Sequence, residues 1–189
     1  MGKGEDPSRS PRPSDVHPEY IVLGFLLEGS TYGYDLRRRF EARLGGLWRI
    51  SESQLYSMLK RLEARGLVAG REAEEGSGVS RRLLAVTQAG RAWFDEWLVS
   101  PTFCSPRVLR LEFLSRLYFA ATLRPDLRDS IYRSQLAFVE RETKALALKR
   151  ASLPADEVYA ALGLEFRMNQ LEAARTWLEA SVRPALTAS

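Results

Sequence analysis

Two residue types that carry much of enzyme chemistry are nearly absent from this chain of 189 residues. It contains one cysteine, Cys104, and one histidine, His17, which stands beside a proline. A single cysteine excludes a disulfide within the chain and argues against a cysteine-based metal site. A single histidine leaves no Ser-His-Asp set to assemble, and the sequence has no glycine-rich phosphate loop. We therefore expect a protein that is not an enzyme and that binds no cofactor or metal.

Long apolar segments are also missing. No apolar run approaches the ~20 residues that a helix needs to cross a bilayer, and no signal-peptide pattern opens the sequence. We expect a cytoplasmic protein with no membrane partner. Residues 1–18 are rich in proline, serine, glycine and charge, which predicts a disordered arm. For Cys104 we expect an inert small hydrophobe; the alternative, a redox sensor, would need surroundings that stabilise a thiolate.

The excess of positive charge is small but localised. The net charge is +4, and residues 33–82 alone contain 11 Lys and Arg against 7 Asp and Glu. The positive potential therefore lies in one segment, which favours a polyanionic partner for that segment.

That segment contains the most informative pattern of the chain, an amphipathic helix predicted over residues 50–68. Ser51 and Gln54 have the spacing of a capping box, and Gly66 supplies a C-terminal stop. The buried stripe is expected to consist of Leu55, Met58, Leu59 and Leu62. A short helix with a polar, basic face that follows an earlier helix through a tight turn is what the major groove of DNA accepts.

The residues around this helix predict a winged helix. Short β-prone runs at 67–73 and 80–87 flank a turn at 74–78, and Thr87 caps a further helix. Residues 48–50 are expected to form a short first strand. Further helical patterns cover residues 18–28, 31–44, 106–123, 126–151 and 155–182. We predict a mainly α fold with a small β-wing: an arm at 1–18, a winged helix-turn-helix domain at 19–100 and a C-terminal α-helical dimerisation domain at 101–189.

Three motifs carry a family resemblance. They are YGYDL at 32–36, LYxxLxxLExxGL at 55–67 and TxxG at 87–90. In this order they resemble the signature of the PadR family of bacterial transcriptional regulators, over residues 20–100, and the helices that follow are similar to the family's longer members. Two positions depart from the pattern: Tyr32 replaces the usual histidine, and Leu83 and Leu84 replace a usual pair of tyrosines, which argues against wing contacts through tyrosine.

The resemblance implies a repressor that binds a pseudo-palindromic operator in double-stranded DNA as a homodimer. Glutamine can pair with adenine and Arg or Lys with guanine, whereas wing arginines would meet phosphates. The candidate DNA-binding residues are Tyr32, Arg38, Ser51, Ser53, Gln54, Tyr56, Ser57, Lys60, Arg61, Arg81 and Arg82. A merely solvated helix face and a structural role for Tyr56 are the alternatives. The sequence does not decide which arginine of the run 37–39 faces DNA.

The last helical pattern predicts a dimer interface, because its apolar face is too broad for one neighbour. The candidate interface residues, at 4-3 spacing, are Leu164, Met168, Leu171, Leu178 and Val182. A monomeric helical subdomain that packs on itself is the alternative.

Aromatic residues are concentrated where the winged helix meets the C-terminal helices. We expect most of them to be core, but the family resemblance allows a small aromatic or hydrophobic effector to bind there. The candidate pocket residues are Trp93, Trp97, Phe103, Tyr118 and Trp177. Two other functions stay open: a winged helix used as a protein–protein interaction module, and a small-molecule binder with weak DNA contact. Salt-dependent binding to duplex DNA distinguishes the regulator from the interaction module.

Overall fold

The computed structural model describes residues 16–74 and 80–188, without the side chains of residues 73, 74, 80 and 81. Most of the predicted N-terminal arm and of the turn between the wing strands lies outside the described residues. The fold is mostly helical with a small antiparallel sheet of three strands, as the sequence predicted. No helix in the described part of the chain is both long and apolar enough to span a bilayer.

The N-terminal part of the chain forms a winged helix. Its elements in chain order are α1 (Glu19–Leu27), β1 (Thr31–Tyr32), α2 (Gly33–Leu44), α3 (Glu52–Ala64), β2 (Val68–Glu74), β3 (Ser80–Val86) and α4 (Gln88–Val99). The sheet order is β1-β3-β2, so β3 is central and pairs along its whole length with β2.

The predicted position of the first strand was wrong. Thr31 and Tyr32 form β1, which pairs with Leu84 and Leu83 of β3. Trp48, in the predicted strand, is instead buried in the α2–α3 connection. Its indole Nε1 donates to the hydroxyl of a buried serine on α6 at 2.9 Å, so the tryptophan is a core residue rather than a strand residue.

The C-terminal part of the chain contains helices and no strand among its described residues. Its elements are α5 (Pro106–Val108), a π-helical turn (Leu109–Phe113), α6 (Leu114–Leu123), a 3-10 turn (Pro125–Leu127), α7 (Arg128–Ala151), α8 (Val158–Trp177), a second π-helical turn (Leu178–Val182) and α9 (Arg183–Thr187). These elements follow the three helical segments that the sequence predicted.

Local chemistry fixes both ends of α3. The Ser51 hydroxyl accepts a hydrogen bond from the backbone N–H of Gln54 at 3.2 Å, and the Gln54 side chain accepts from the backbone N–H of Ser51 at 2.8 Å. Gly66 ends the helix with φ of +68°, a conformation that glycine adopts without strain. Thr87 donates to the Gly66 carbonyl at 2.7 Å and caps α4 by accepting from Gly90 at 3.1 Å. The capping box, the stop and the second cap confirm the predictions.

The hydrophobic core is built around α1, in which every residue from Tyr20 to Leu26 is buried. A helix that is apolar on all sides requires neighbours on all sides. It contacts α2, α3, β3 and α4 of the winged helix, and also α6 of the C-terminal part. The Phe119 ring of α6 lies 5.3 Å from the Phe25 ring and directly against Gly24. A single core therefore joins the two parts of the chain.

A buried polar cluster lies at the same junction. Glu112 and Arg116 are each 4% exposed and form an ion pair at 3.3 Å. Glu112 also accepts from the Trp97 indole at 3.1 Å and from the backbone N–H of His17 at 2.8 Å. Arg116 donates to the Trp97 carbonyl at 2.8 Å, and burial lowers its pKa to about 10. These hydrogen bonds offset the cost of removing two charges from water.

Candidate nucleic-acid interface

The helix α3 presents two chemically distinct faces. Leu55, Met58, Leu59 and Leu62 are all buried against the core. The opposite face is exposed and contains Ser53, Ser57 and Lys60. Ser57 and Lys60 form no side-chain hydrogen bond or ion pair with another described residue. Both therefore have unused hydrogen-bonding capacity for a ligand that lies along α3.

The capping box already occupies the side-chain oxygen of Gln54. Its Oε1 is the acceptor for the Ser51 N–H, so only the Nε2 amide group is free to donate. A bidentate contact with adenine uses both ends of the amide and would break the box. The Ser51 hydroxyl is likewise occupied, because it accepts from the Gln54 backbone and lies 3.0 Å from the Ser53 hydroxyl.

Tyr56 combines a structural contact with exposure. Its side chain packs against Gly33 at the start of α2, where a Cβ atom would lie 3.0 Å from the ring and 3.2 Å from the hydroxyl. The residue is nevertheless 43% exposed. The ring thus explains the glycine of the YGYDL motif, while a contact between Tyr56 and DNA stays a prediction. Tyr32 is half-buried where β1 meets α2.

The structure separates the three arginines of the run 37–39. Arg37 forms ion pairs with Glu41, at 2.9 Å, and with Glu52 at the start of α3. Arg39 donates to a backbone carbonyl in the α1–α2 connection at 3.4 Å. Arg38 is exposed, and its guanidinium lies 6.0 Å from the centre of an aromatic ring one turn earlier. Neither Arg38 nor Arg39 forms an ion pair with another described residue, and Arg38 is the more exposed of the two.

Two of the candidate arginines are ion-paired at the surface. Arg61 lies 2.7 Å from Glu19, and Arg82 lies 3.1 Å from Glu63. The side chains of both arginines are more than half exposed. The side chains of the two carboxylates are only 19% exposed, so an arginine that turned to a phosphate would leave a mostly buried carboxylate without its partner. The Arg81 side chain lies outside the described residues.

A cationic groove runs along one side of α3, with a volume of about 780 Å³. One wall contains Ser53, Gln54, Ser57 and Arg61 of α3. The α2–α3 connection contributes Arg49, and the start of the C-terminal helices contributes Arg107 and Arg110. No aspartate or glutamate lines the groove among the described residues. Sequence reasoning missed these three arginines, because only the fold brings them beside α3.

Residues 22–96 match the family model described as the transcriptional regulator PadR-like family. Over these residues, which are less than half of the chain, the sequence is similar to the PadR-like family. The matched segment covers α1 to α4 almost completely, including α3 and the wing. The resemblance inferred from the three motifs is thereby confirmed, together with the winged-helix fold.

Individual relatives match part of the length of the chain. The negative transcriptional regulator PadR of Bacillus subtilis is 28% identical over 118 residues, which are 62% of this chain and 64% of that protein. A probable transcriptional regulator of Mycobacterium tuberculosis is 27% identical over 82 residues, 43% of either protein. The chain therefore spans less than two thirds of the length of either of these two relatives.

Solved structures match over more of the chain but with low scores. Bacillus subtilis PadR in complex with operator DNA is 24% identical, with a TM-score of 0.44 over 86% of this chain and 95% of that one. The PadR-like regulator BC1756 of Bacillus cereus is 21% identical, with a TM-score of 0.43 over 97% of this chain and 99% of that one.

The residues predicted for the dimer interface differ in exposure. Leu171 and Leu178 are completely buried and Val182 is 6% exposed, all within the chain's own core. Leu164 and Met168 are half-buried. The same chain already covers these three side chains, and a dimer contact through them stays a prediction. Large apolar side chains on α7 and α8 are exposed instead: Leu148 (75%), Val158 (54%), Tyr159 (90%), Leu162 (54%) and Phe166 (66%).

The five aromatic residues predicted to line an effector pocket do not share one environment. Trp93 and Trp97 both stack on Tyr20, with ring centres 4.1 and 4.9 Å away. The other three have separate partners. Phe103 lies against an arginine of α8, and Trp177 lies against a phenylalanine of the first π-helical turn. The Tyr118 hydroxyl donates to the carboxylate of Glu28, the residue that follows α1. None of the five lines the cationic groove. Trp97 belongs to the hydrophobic core, and Trp93, Tyr118 and Trp177 pack against it.

Cys104 is buried, which agrees with the prediction of an inert thiol. Burial raises its pKa to about 11, and Gln135 donates to its sulfur at 3.3 Å. Since the thiolate is the reactive form, a thiol with this pKa is a poor redox sensor at neutral pH.

Proposed function

We propose that this protein is a sequence-specific DNA-binding transcriptional regulator, acting as a repressor, that binds a pseudo-palindromic operator as a homodimer. The observation that carries the proposal is the face of α3 that contains Ser53, Ser57 and Lys60. This face is polar and exposed, and the leucine-rich face on the other side of α3 is buried and anchors the helix in the core. The match of residues 22–96 to the PadR-like family model supports the same function.

In this proposal α3 enters the major groove and the surrounding arginines bind the phosphates on either side. Lys60 can donate to the O6 and N7 acceptors of guanine, and Ser57 can bond to either type of base edge. Gln54 contributes a single amide donor while the capping box is intact. Arg38 on α2 and Arg82 on the wing are placed to hold the backbone, which sets orientation rather than sequence.

The first experiment is a measurement of affinity against salt concentration. A duplex selected from a randomised pool serves as the probe, because the operator is unknown. We expect the affinity to fall steeply with salt, with a log–log slope near −0.9 for each phosphate contact. A protein–protein interaction module would show no duplex binding, and that result would overturn the proposal.

The second experiment separates base contacts from phosphate contacts. Lys60→Ala should weaken binding about 10-fold or more on the selected duplex and much less on a duplex altered at the base pair that Lys60 contacts. Arg38→Ala is the matched control, since it should weaken binding equally to both duplexes. Equal losses for Lys60→Ala on both duplexes would contradict a base-reading role for α3. Inserting about 5 bp between half-sites should nearly abolish binding by one dimer.

We propose that the dimer forms through the exposed apolar stripe on α8 rather than through the buried residues. Tyr159, Leu162 and Phe166 recur at helical spacing on one face and are at least half exposed. Two-fold homodimers are the commonest soluble oligomers. Leu162→Glu with Phe166→Glu should therefore give a folded monomer by light scattering. Ala160→Glu is the matched control for Leu162→Glu alone, because it adds the same charge on the other side of α8, and it should leave the dimer intact.

A small aromatic or hydrophobic effector remains part of the proposal through the family resemblance. A ligand that binds only the folded protein raises its apparent stability. A thermal-shift screen of aromatic compounds should therefore identify the effector, and each hit should also lower the affinity for the selected duplex. A compound that stabilises the protein without changing DNA binding would not be an effector.

A further inference from the structure

We propose that the DNA interface extends beyond the winged helix onto the C-terminal helices, where Arg107 and Arg110 bind phosphates of the strand that borders α3. This inference rests on the proposed function and adds a second part of the chain to its binding surface. The cationic groove is the observation behind it, because its two walls come from α3 and from the segment that begins α5.

Three of the four arginines that line the groove have no carboxylate partner among the described residues, whereas Arg61 is paired with Glu19. Arg49 and Arg107 form no ion pair or side-chain hydrogen bond with another described residue. Arg110 has one long hydrogen bond, 3.5 Å, to the Leu47 carbonyl. All three arginines are exposed. Like charges that face one cleft repel one another unless an anion lies between them, so the groove is electrostatically suited to a polyanion.

The position of the groove favours duplex DNA over a small free anion. Ser53 and Ser57 line the groove and also belong to the exposed face of α3. A duplex that receives α3 in its major groove therefore brings its own backbone along this wall. Duplex DNA carries one negative charge for about every 1.7 Å of axis, so several phosphates pass a cleft of this size.

The consequence is that phosphate binding depends on how the C-terminal helices sit against the winged helix. Arg107 and Arg110 belong to the C-terminal helices, whereas Lys60 and Arg38 belong to the winged helix. A displacement of one part relative to the other would change the number of phosphates that the protein holds.

The test is the salt dependence of binding by the full chain with Arg107→Ala and Arg110→Ala together, using the selected duplex. Loss of two phosphate contacts should flatten the log–log slope by about 1.8. Between 50 and 200 mM salt, the affinity ratio of unaltered to altered protein should then shrink by about 12-fold. Arg133→Ala with Arg183→Ala removes the same net charge from exposed positions outside the groove and should leave the slope unchanged. Arg107→Lys with Arg110→Lys keeps both charges and should restore most of the slope.

Three outcomes would overturn the inference. The first is an unchanged slope for the alanine pair while the unaltered chain binds with a steep slope, which leaves the proposed function standing. The second is an equal flattening for the control pair, which would show a general charge effect. The third is thermal stabilisation by pyrophosphate that the alanine pair loses without losing DNA affinity, because the groove would then be a small-anion site. Absence of DNA binding by the unaltered chain would instead overturn the proposed function itself.

Discussion

Replacement of Gly24 by alanine should test how tightly the winged helix is packed on the C-terminal helices. An ideal Cβ on Gly24 would lie 2.4 to 2.7 Å from three ring atoms of Phe119. An ordinary carbon–carbon contact is about 3.5–4.0 Å, so the ring would have to retreat by about 1 Å. Phe119 is fully buried and contacts Phe25, Phe94 and Tyr118, which leaves it little room.

Two opposing effects set the magnitude. Overpacking of a close-packed core costs about 1–3 kcal/mol. Alanine in place of glycine within a helix contributes about 1 kcal/mol in the other direction. Gly163 on α8 supplies the matched control, because no heavy atom lies within 4 Å of its added Cβ. Gly163→Ala should be stabilising by about 0.5–1 kcal/mol. The difference in unfolding free energy between the two variants isolates the clash, and we expect about 1–3 kcal/mol.

Urea denaturation measures both variants against the unaltered protein. With a slope of about 2 kcal/mol per molar, the two midpoints should differ by about 0.5–1.5 M. The double variant Gly24→Ala with Phe119→Leu should be less destabilised than the sum of its parts, because the smaller side chain leaves space for the methyl group. A Gly24→Ala protein as stable as Gly163→Ala would refute the close packing between α1 and α6.

Three further predictions concern the cap, the thiol and the buried ion pair. Ser51→Ala should lower the unfolding free energy by about 1 kcal/mol in denaturant melts, since it removes the capping acceptor; an unchanged midpoint would mean that the box contributes nothing. Cys104 should not react with a thiol reagent in the folded protein at pH 8, because a pKa of about 11 leaves roughly one thiol in a thousand ionised, and it should react fully in urea. Arg116→Ala should destabilise by about 3–5 kcal/mol because it leaves Glu112 buried without its partner, and a loss below about 1 kcal/mol would show that water replaces the guanidinium.

Local chemistry explains which parts of the fold could be predicted from the sequence. The capping box, the glycine stop after α3 and the cap of α4 each depend on residues within four positions of one another. Strand β1 could not be predicted in this way, because Thr31 and Tyr32 become a strand only through pairing with Leu84 and Leu83. Trp48 was predicted to lie in a strand. It is instead buried and donates a hydrogen bond to a serine of α6, which is distant in sequence.

The same distinction applies to the functional surfaces. The apolar spacing on the last helical segment predicted that Leu171 and Leu178 are buried, but spacing does not say which neighbour buries them. The helical periodicity of apolar residues predicted both the buried stripe of α3 and its exposed face. The cationic groove was not predicted, since Arg49 and Arg107 are far apart in sequence and no periodic pattern connects them.

The burial of α1 limits which segments can be exchanged between related proteins. Since α1 is covered partly by the winged helix and partly by α6, neither part can be exchanged alone between related proteins. A hybrid that joins this winged helix to the C-terminal helices of another regulator would keep Gly24 but face a foreign residue at the place of Phe119. Hybrids that transfer α1 and α6 together should fold, whereas those that divide them should be recovered mainly as aggregates. Natural recombination between related genes should be restricted in the same way, so we expect the segments that encode α1 and α6 to be inherited together.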